Sequence, residues 1–180
     1  MTTEIKTAWA IDPAHSEIHF KVKHMMVSTV TGAFNSFEGM VESDGDDFDG
    51  ADIRFSADVD SISTNNKDRD AHLKSDDFFN AERFPKLTFE STSFTKKSGD
   101  NYRLVGDLTI RDVTKRVELD VEYNGTAVDP YGNTKAGFEI SGKINRKEFN
   151  LKWNAVTEAG GVVVSDEVRL VLNVQLTKKS

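Results

Sequence analysis

The chain has 180 residues, 37% of them apolar with 12 Gly besides, a formal net charge of −7 and no cysteine. That length fits one domain with a sizeable core, and the composition is that of an ordinary soluble globular protein. The acidic balance, with no dense run of Lys and Arg, argues against a nucleic-acid partner, while the missing thiols exclude disulfides and thiolate chemistry and leave the compartment open.

The first dozen residues lack the apolar core of a signal peptide, and no run approaches the length of a membrane span. The expected location is cytoplasmic as written, and periplasmic only if a leader has been removed. A first strand is predicted over 9–23, bent near Pro13, with Ile18, Phe20 and Val22 on one face and His19, Lys21 and Lys23 on the other. Residues 24–30 are apolar without a period and read as a tight turn or one helical turn. A second strand over 33–43 carries Phe34, Phe37 and Val41, with a skip that suggests a bulge near Ser36. Residues 44–50, rich in Asp and Gly, read as a turn. The third strand, 51–61, sets Ile53, Phe55, Ala57 and Val59 against polar neighbours.

The alternation then fails. In residues 69–91 it gives way to a short helical insertion. Asn65 and Asn66 are N-cap types, and Asp68 and Asp70 suit a helix N-terminus. Phe78, Phe79 and Phe84 follow, and Pro85 forces Phe84 to be extended. Three Phe so close together must cover something, and the segment is expected to plug one end of a β-structure.

A fourth strand (86–95) starts with Leu87 and Phe89, and a hairpin loop around Gly99 follows. The fifth places Tyr102, Leu104, Gly106, Leu108 and Ile110 on one face. The sixth does the same with Val117, Leu119, Val121 and Tyr123, and the seventh with Ala136, Phe138, Ile140, Gly142 and Ile144. A second irregular stretch, 146–165, contains Phe149, Leu151 and Trp153. The last strand presents Val168, Leu170, Leu172, Val174 and Leu176. Eight strands joined mostly by hairpin-length loops favour an antiparallel meander. A sheet of that size must curl or split to bury its apolar face, and the long strands favour a closed barrel over a sandwich. Gly106 and Gly142 fit either sharp barrel bends or room for a ligand. The expected fold is therefore all-β, an eight-stranded antiparallel barrel with a short helical insertion between strands three and four.

The motifs Trp9-x-Ile11-Asp12-x-x-His15-Ser16-x-Ile18-x-Phe20, then Arg69-Asp70-x-His72-Leu73-Lys74-Ser75-x-Asp77-Phe78-Phe79-Asn80 and Phe84-Pro85-x-Leu87-x-Phe89 come in order along the chain. Gly106-Asp107-Leu108-Thr109-Ile110, Thr114-Lys115 and Arg146-x-Glu148-Phe149 follow them. Together, from Trp9 to about Leu176, they resemble the YceI-like family of bacterial polyisoprenoid-binding proteins. The sequence departs from the family's pattern at Asn150, where a Gly is frequent. The resemblance implies a lipocalin-like barrel with an extended apolar cavity that carries a long isoprenoid, an isoprenoid quinone or a fatty-acid-like lipid. The cavity residues it implies are Phe20, Phe34, Phe37, Phe55, Phe89 and Leu104, then Leu108, Leu119, Phe138, Ile140 and Leu170. Phe78, Phe79 and Phe84 of the insertion, with Phe149 and Trp153 of the second irregular stretch, complete the set.

The residues themselves leave a solid core and a channel both open, since mixed large and small side chains can form either. A solid-core interaction module is the alternative, and an enzyme acting on a lipid at the barrel mouth is a third class. Arg69 and Asp70 tie the insertion to the barrel, or else Arg69 or His72 meets a polar lipid head, because Arg pairs well with phosphate. Arg146 is the other head-group candidate. No metal is expected: His15 and His19 are about 13 Å apart along a strand, too far to share an ion. His15 and His72 are read instead as rim residues bonded to Asp12 or Asp70. Ser16 follows His15 directly, so the two face opposite ways, and no nucleophile elbow or phosphate loop occurs. No catalytic residue and no cofactor other than a bound lipid is expected. The expected partner is a small apolar ligand, with neither nucleic acid nor a transmembrane segment, and a homodimer is left open.

Overall fold

The alternating runs form strands because each can bury one face only by curling round the others. The computed structural model describes residues 6–25, 27–45, 47–151, 153 and 164–179. Its elements are β1 (Thr7–Ile11), β2 (Glu17–His24), β3 (Ser28–Phe34), β4 (Phe37–Asp44), β5 (Asp47–Asp58), β6 (Ile62–Ser63) and α1 (Lys67–Lys74). Then follow β7 (Lys86–Ser98), β8 (Asn101–Ile110), β9 (Val113–Val128), β10 (Thr134–Asn145) and β11 (Val164–Lys178). The strands pair antiparallel in the order β1-β4-β5-β7-β8-β9-β10-β11-β2-β3-β6, and β11 pairs with both β1 and β2, closing an 8-strand barrel. The first three barrel strands are each broken once. A 3₁₀ turn at Pro13–His15 separates β1 from β2, Asn35 and Ser36 separate β3 from β4, and a 3₁₀ turn at Val59–Ser61 separates β5 from β6.

The bend at Pro13 and the break at Ser36 were legible as sequence signals. Other boundaries differ. β3 begins at Ser28 rather than Ala33, because the β2–β3 turn occupies only the residues between His24 and Ser28. Residues 47–50 are strand, not turn, and carry Phe48 into the core at 1% exposure. β7 runs on to Ser98, so its hairpin turns on Gly99 (φ +55°) and Asp100. Asn150 holds a left-handed conformation (φ 63°, ψ 22°) at the end of the 3₁₀ turn Arg146–Phe149. Asn tolerates that region better than most residues, so it does the work of the Gly frequent in the family.

The inward glycines make room for a neighbouring strand's side chain. A Cβ on Gly106 would lie 2.4 Å from the Phe89 ring and 2.5 Å from the Glu90 carbonyl oxygen. On Gly142 it would lie 2.3 Å from Leu119 Cδ2, and on Gly32 2.2 Å from the Phe20 ring. Each glycine is the bed on which a neighbouring strand's large side chain lies.

One joint of the barrel is incomplete. β1 pairs with β4 as far as Ala10 and Met40, and β2 pairs with β3 only from His19 and Ala33 onward. Between them, residues 11–18 and 34–39 face each other without a ladder. Each flank is held on its other side. Asp12 N donates to Gln175 O (2.8 Å), Gln175 N donates to Ser16 Oγ (2.9 Å), and Asp58 N donates to Ser36 O (2.9 Å). Ile11 bridges the seam by packing against Gly39.

Candidate functional site

The barrel encloses an apolar cavity of about 380 Å³. Its floor is aromatic. Phe48 packs on Trp9 (ring centroids 5.1 Å apart) and edge-on against Phe138 (5.0 Å), with Tyr123 beside both. Phe94 stacks on Tyr102 at 4.8 Å. The polar atoms of this layer are satisfied: Trp9 Nε1 donates to Ser43 Oγ, which donates to the Gly45 carbonyl. Burial, aided by Asp47, Asp49 and Asp100, pushes the Tyr102 phenol up, so it stays neutral.

The wall above comes from alternate residues of every strand, as the pleat requires. Phe20, Phe55, Leu108, Ile140 and Leu170 line it, and so do Phe89, Leu104, Leu119 and Phe138. The lid is the insertion with Trp153. Phe79 meets Phe34 edge-on at 5.9 Å, while His72, Phe78 and Trp153 form a triangle with centroids 4.7 to 5.5 Å apart. All of these residues except His72, which was a head-group candidate, were expected at the cavity from the resemblance.

Three expected cavity residues are elsewhere. Phe37 lies just past the break at Ser36, which turns it toward an outer groove against Phe55. Phe84 sits outside the lid, beneath the guanidinium groups of Arg83 and Arg111. Phe149 is buried (1% exposed) but lies off the cavity wall, on the 3₁₀ turn packed against β9 and β11. Conversely, Phe48 and Phe94 line the cavity and were not expected there. Each lies beyond an irregularity that reverses the inward–outward alternation: Gly50 (φ +82°) in one case and a register shift at Ser91–Ser93 in the other.

The head-group candidates reach the cavity, and each is already bonded within the protein. Asn66 caps α1 by accepting from Arg69 N (3.0 Å). Arg69 Nε donates to Thr64 Oγ1 and its Nη2 to Thr64 O, both at 2.7 Å, while Asp70 accepts from Thr64 N and Oγ1. These bonds fasten the start of the insertion to β6, which is the tying role weighed for Arg69 and Asp70. His72 meets Asp77 at 2.8 Å, not Asp70, because Asp70 is occupied by Thr64. The far end of the lid is clamped from the β8–β9 turn, where Arg111 donates to the carbonyls of Asp76 and Phe78 and pairs with the Asp76 carboxylate.

Arg146 is 2% exposed. Its guanidinium donates to the carbonyls of Leu151, Trp153, Val164 and Ser165, with Asp166 at 3.9 Å. Burial draws its pKa down and Asp166 partly opposes this. It pins both described ends of the second irregular stretch together.

At the strand break His15 meets Asp12 at 2.8 Å and is 66% exposed, while Ser16 Oγ is bonded to Gln175, so the two form no nucleophile–base pair. Among the described residues no three of His, Asp and Glu gather as a metal site would need.

A model of the YceI-like domain matches residues 9–176. The chain belongs to the YceI-like family. A UPF0312 protein of Staphylococcus aureus strain N315 is 40% identical over 164 residues, covering 91% of this chain and 93% of that one. The crystal structure of a Campylobacter jejuni YCEI protein is similar at a TM-score of 0.74 and 32% identity, over 88% of this chain and 90% of that one. Two further structures share the fold. Burkholderia cenocepacia BcnA has a TM-score of 0.80 at 24% identity, over 92% and 98% of the two chains. A polyisoprenoid binding domain from Saccharophagus degradans has 0.68 at 14%, over 95% and 98%.

Proposed function

We propose that this YceI-like protein binds a long-chain apolar molecule, of polyisoprenoid, isoprenoid-quinone or fatty-acid-like type, within the barrel, and shields or carries it without covalent chemistry. The observation that carries the reading is the cavity itself. Barrels of about eight strands can be filled by their own side chains, and here the large inward residues lie flat on glycines and leave about 380 Å³ open. That falls within the range of about 300–1,000 Å³ found for small-molecule sites. The kinship in fold with a domain described as polyisoprenoid binding points the same way.

At about 30 Å³ per water-sized unit, the space takes roughly a dozen methylenes. Each contributes about 0.8 kcal/mol, or about 10 kcal/mol gross. Association costs of at least about 4 kcal/mol leave a Kd on the order of tens of micromolar for a chain that just fills the cavity. Affinity should rise about fourfold per added methylene and then level off. The test is organic extraction and mass spectrometry of the purified protein, followed by titration with prenols and fatty acids of increasing length. A length-independent affinity, or none, would refute the reading.

A further inference from the structure

The barrel's outer wall beside the mouth carries a feature that ligand binding does not use. In the ladders, Lys143 of β10 is directly opposite Arg169 of β11, and Arg169 is directly opposite Lys21 of β2. Three cations therefore stand in one row on the outward face, at strand spacings of about 4.8 Å. Like charges directly opposite each other destabilise a sheet. Lys143 has Glu167 at 3.6 Å, whereas among the described residues Arg169 and Lys21 meet no carboxylate. Lys23 extends the face toward the mouth, its Nζ donating to Thr29 Oγ1. Beyond it, the β2–β3 turn displays Met25 and Val27, which are 48% and 84% exposed. The same turn borders the cavity, whose lining includes Lys23, His24 and Val164. Carboxylates lie at both ends of the barrel: Asp44, Asp47 and Asp49 near the β4–β5 turn and Asp100 at the β7–β8 turn, and Asp60, Asp76 and Asp77 on the lid side.

We propose that this face docks on the surface of a bilayer containing anionic lipid. Lys21, Lys143, Arg169 and Lys23 would meet the head-group phosphates, and Met25 and Val27 enter the interface. The cavity mouth then lies against the leaflet that supplies or receives the ligand, and the far end points to water. An acidic protein would satisfy the cations, but it gives no reason for apolar side chains at the tip of the same hairpin. The inference rests on the carrier reading, since an apolar ligand resides in the bilayer. A cation near an anionic surface strengthens binding about fivefold, and salt screens that attraction.

The experiment is co-sedimentation of the full chain with vesicles of phosphatidylcholine alone or mixed with phosphatidylglycerol, at low and raised salt. The wild type should bind the mixed vesicles in a salt-sensitive way and the neutral ones weakly. The Lys21→Glu/Lys143→Glu/Arg169→Glu variant should lose about 100-fold or more in partitioning, and Met25→Ser/Val27→Ser should also lose binding to the mixed vesicles. Both variants should keep the wild-type circular dichroism and the wild-type affinity for a fluorescent polyenoic fatty acid in solution. A wild type that ignores mixed vesicles, or a charge-reversed variant that binds them unchanged, would overturn the proposal. Loss on charge reversal with no effect of the Met25/Val27 change would overturn the entry of Met25 and Val27 into the interface. Absence of fatty-acid binding by the wild type would count against the carrier reading, whatever the vesicles show.

Discussion

Alanine at Gly32 and at Gly106 should have opposite consequences, although both sites appear equally crowded. At Gly106 the new Cβ meets the Phe89 ring at 2.4 Å and the Glu90 carbonyl oxygen at 2.5 Å. The carbonyl belongs to the β7 ladder and cannot move without disturbing it. Overpacking of this kind costs about 1–3 kcal/mol. At Gly32 all three close contacts are atoms of the Phe20 ring, which is half-buried and faces the cavity. The ring can swing inward at a rotamer cost of about 0.5–1.5 kcal/mol, largely offset by the gain of about 0.5–1 kcal/mol when Gly is replaced within a strand. Gly32→Ala should therefore be near neutral for the empty protein. The displaced ring takes space from the ligand instead. Excluding about two methylenes would remove about 1.6 kcal/mol, roughly a fifteenfold loss of affinity for a chain that fills the cavity. Urea unfolding of the apo-protein and titration with a long-chain lipid measure the two quantities separately. Equal stability losses in the two variants, or Gly32→Ala with unchanged affinity, would refute the assignment of Phe20 as a movable wall.

Three further outcomes are expected. Phe79→Ala should weaken lipid binding and speed release while changing apo stability by no more than about 1–2 kcal/mol, because Phe79 closes a space that is already open. Measured dissociation rates and melting curves check it. Arg146→Lys should destabilise the fold by about 2–4 kcal/mol, since an ammonium cannot reach four carbonyls spread over both ends of a loop, and denaturant titration would show the loss. For Asp12, burial raises the carboxyl's pKa, but hydrogen bonds from His15, Lys135 and the Ala14 amide outweigh it, so the folded value lies below 3.8. The stabilisation is therefore full at pH values above 3.8 and disappears as pH falls through the lower folded value. Asp12→Asn should be less stable than wild type near neutrality, with the gap closing in acid, as a pH series of unfolding curves would show.

The strands were legible because period-2 alternation is a direct imprint of a two-faced sheet. The insertion was legible because Asn66, the acidic first turn and Pro85 are local signals that need no partner. What the sequence hid depended on local breaks in that period or on distant contacts. Phe48 lies among Asp and Gly, which ordinarily mark turns, and Gly50 reverses the alternation between it and Ala51. Phe94 is masked in the same way by the shift at Ser91–Ser93. Phe37 and Phe84 look like cavity residues by type, but a strand break and two neighbouring guanidiniums decide otherwise. The role of Arg146 could not be read from its neighbours, because two of its four carbonyl partners lie 18 and 19 residues away.

A barrel stitched by hydrogen bonds all the way round has a fixed girth, set by strand number and stagger. Here the stitching is interrupted at mid-height between residues 11–18 and 34–39, so at that level the barrel is a split ring. What spans the split is side-chain packing, Ile11 against Gly39 for one, and packing can be rearranged where a ladder cannot be stretched. Under the carrier reading, a bulkier guest should spread the ring at its waist without breaking a ladder hydrogen bond, while the intact ladders near both rims keep the ends closed.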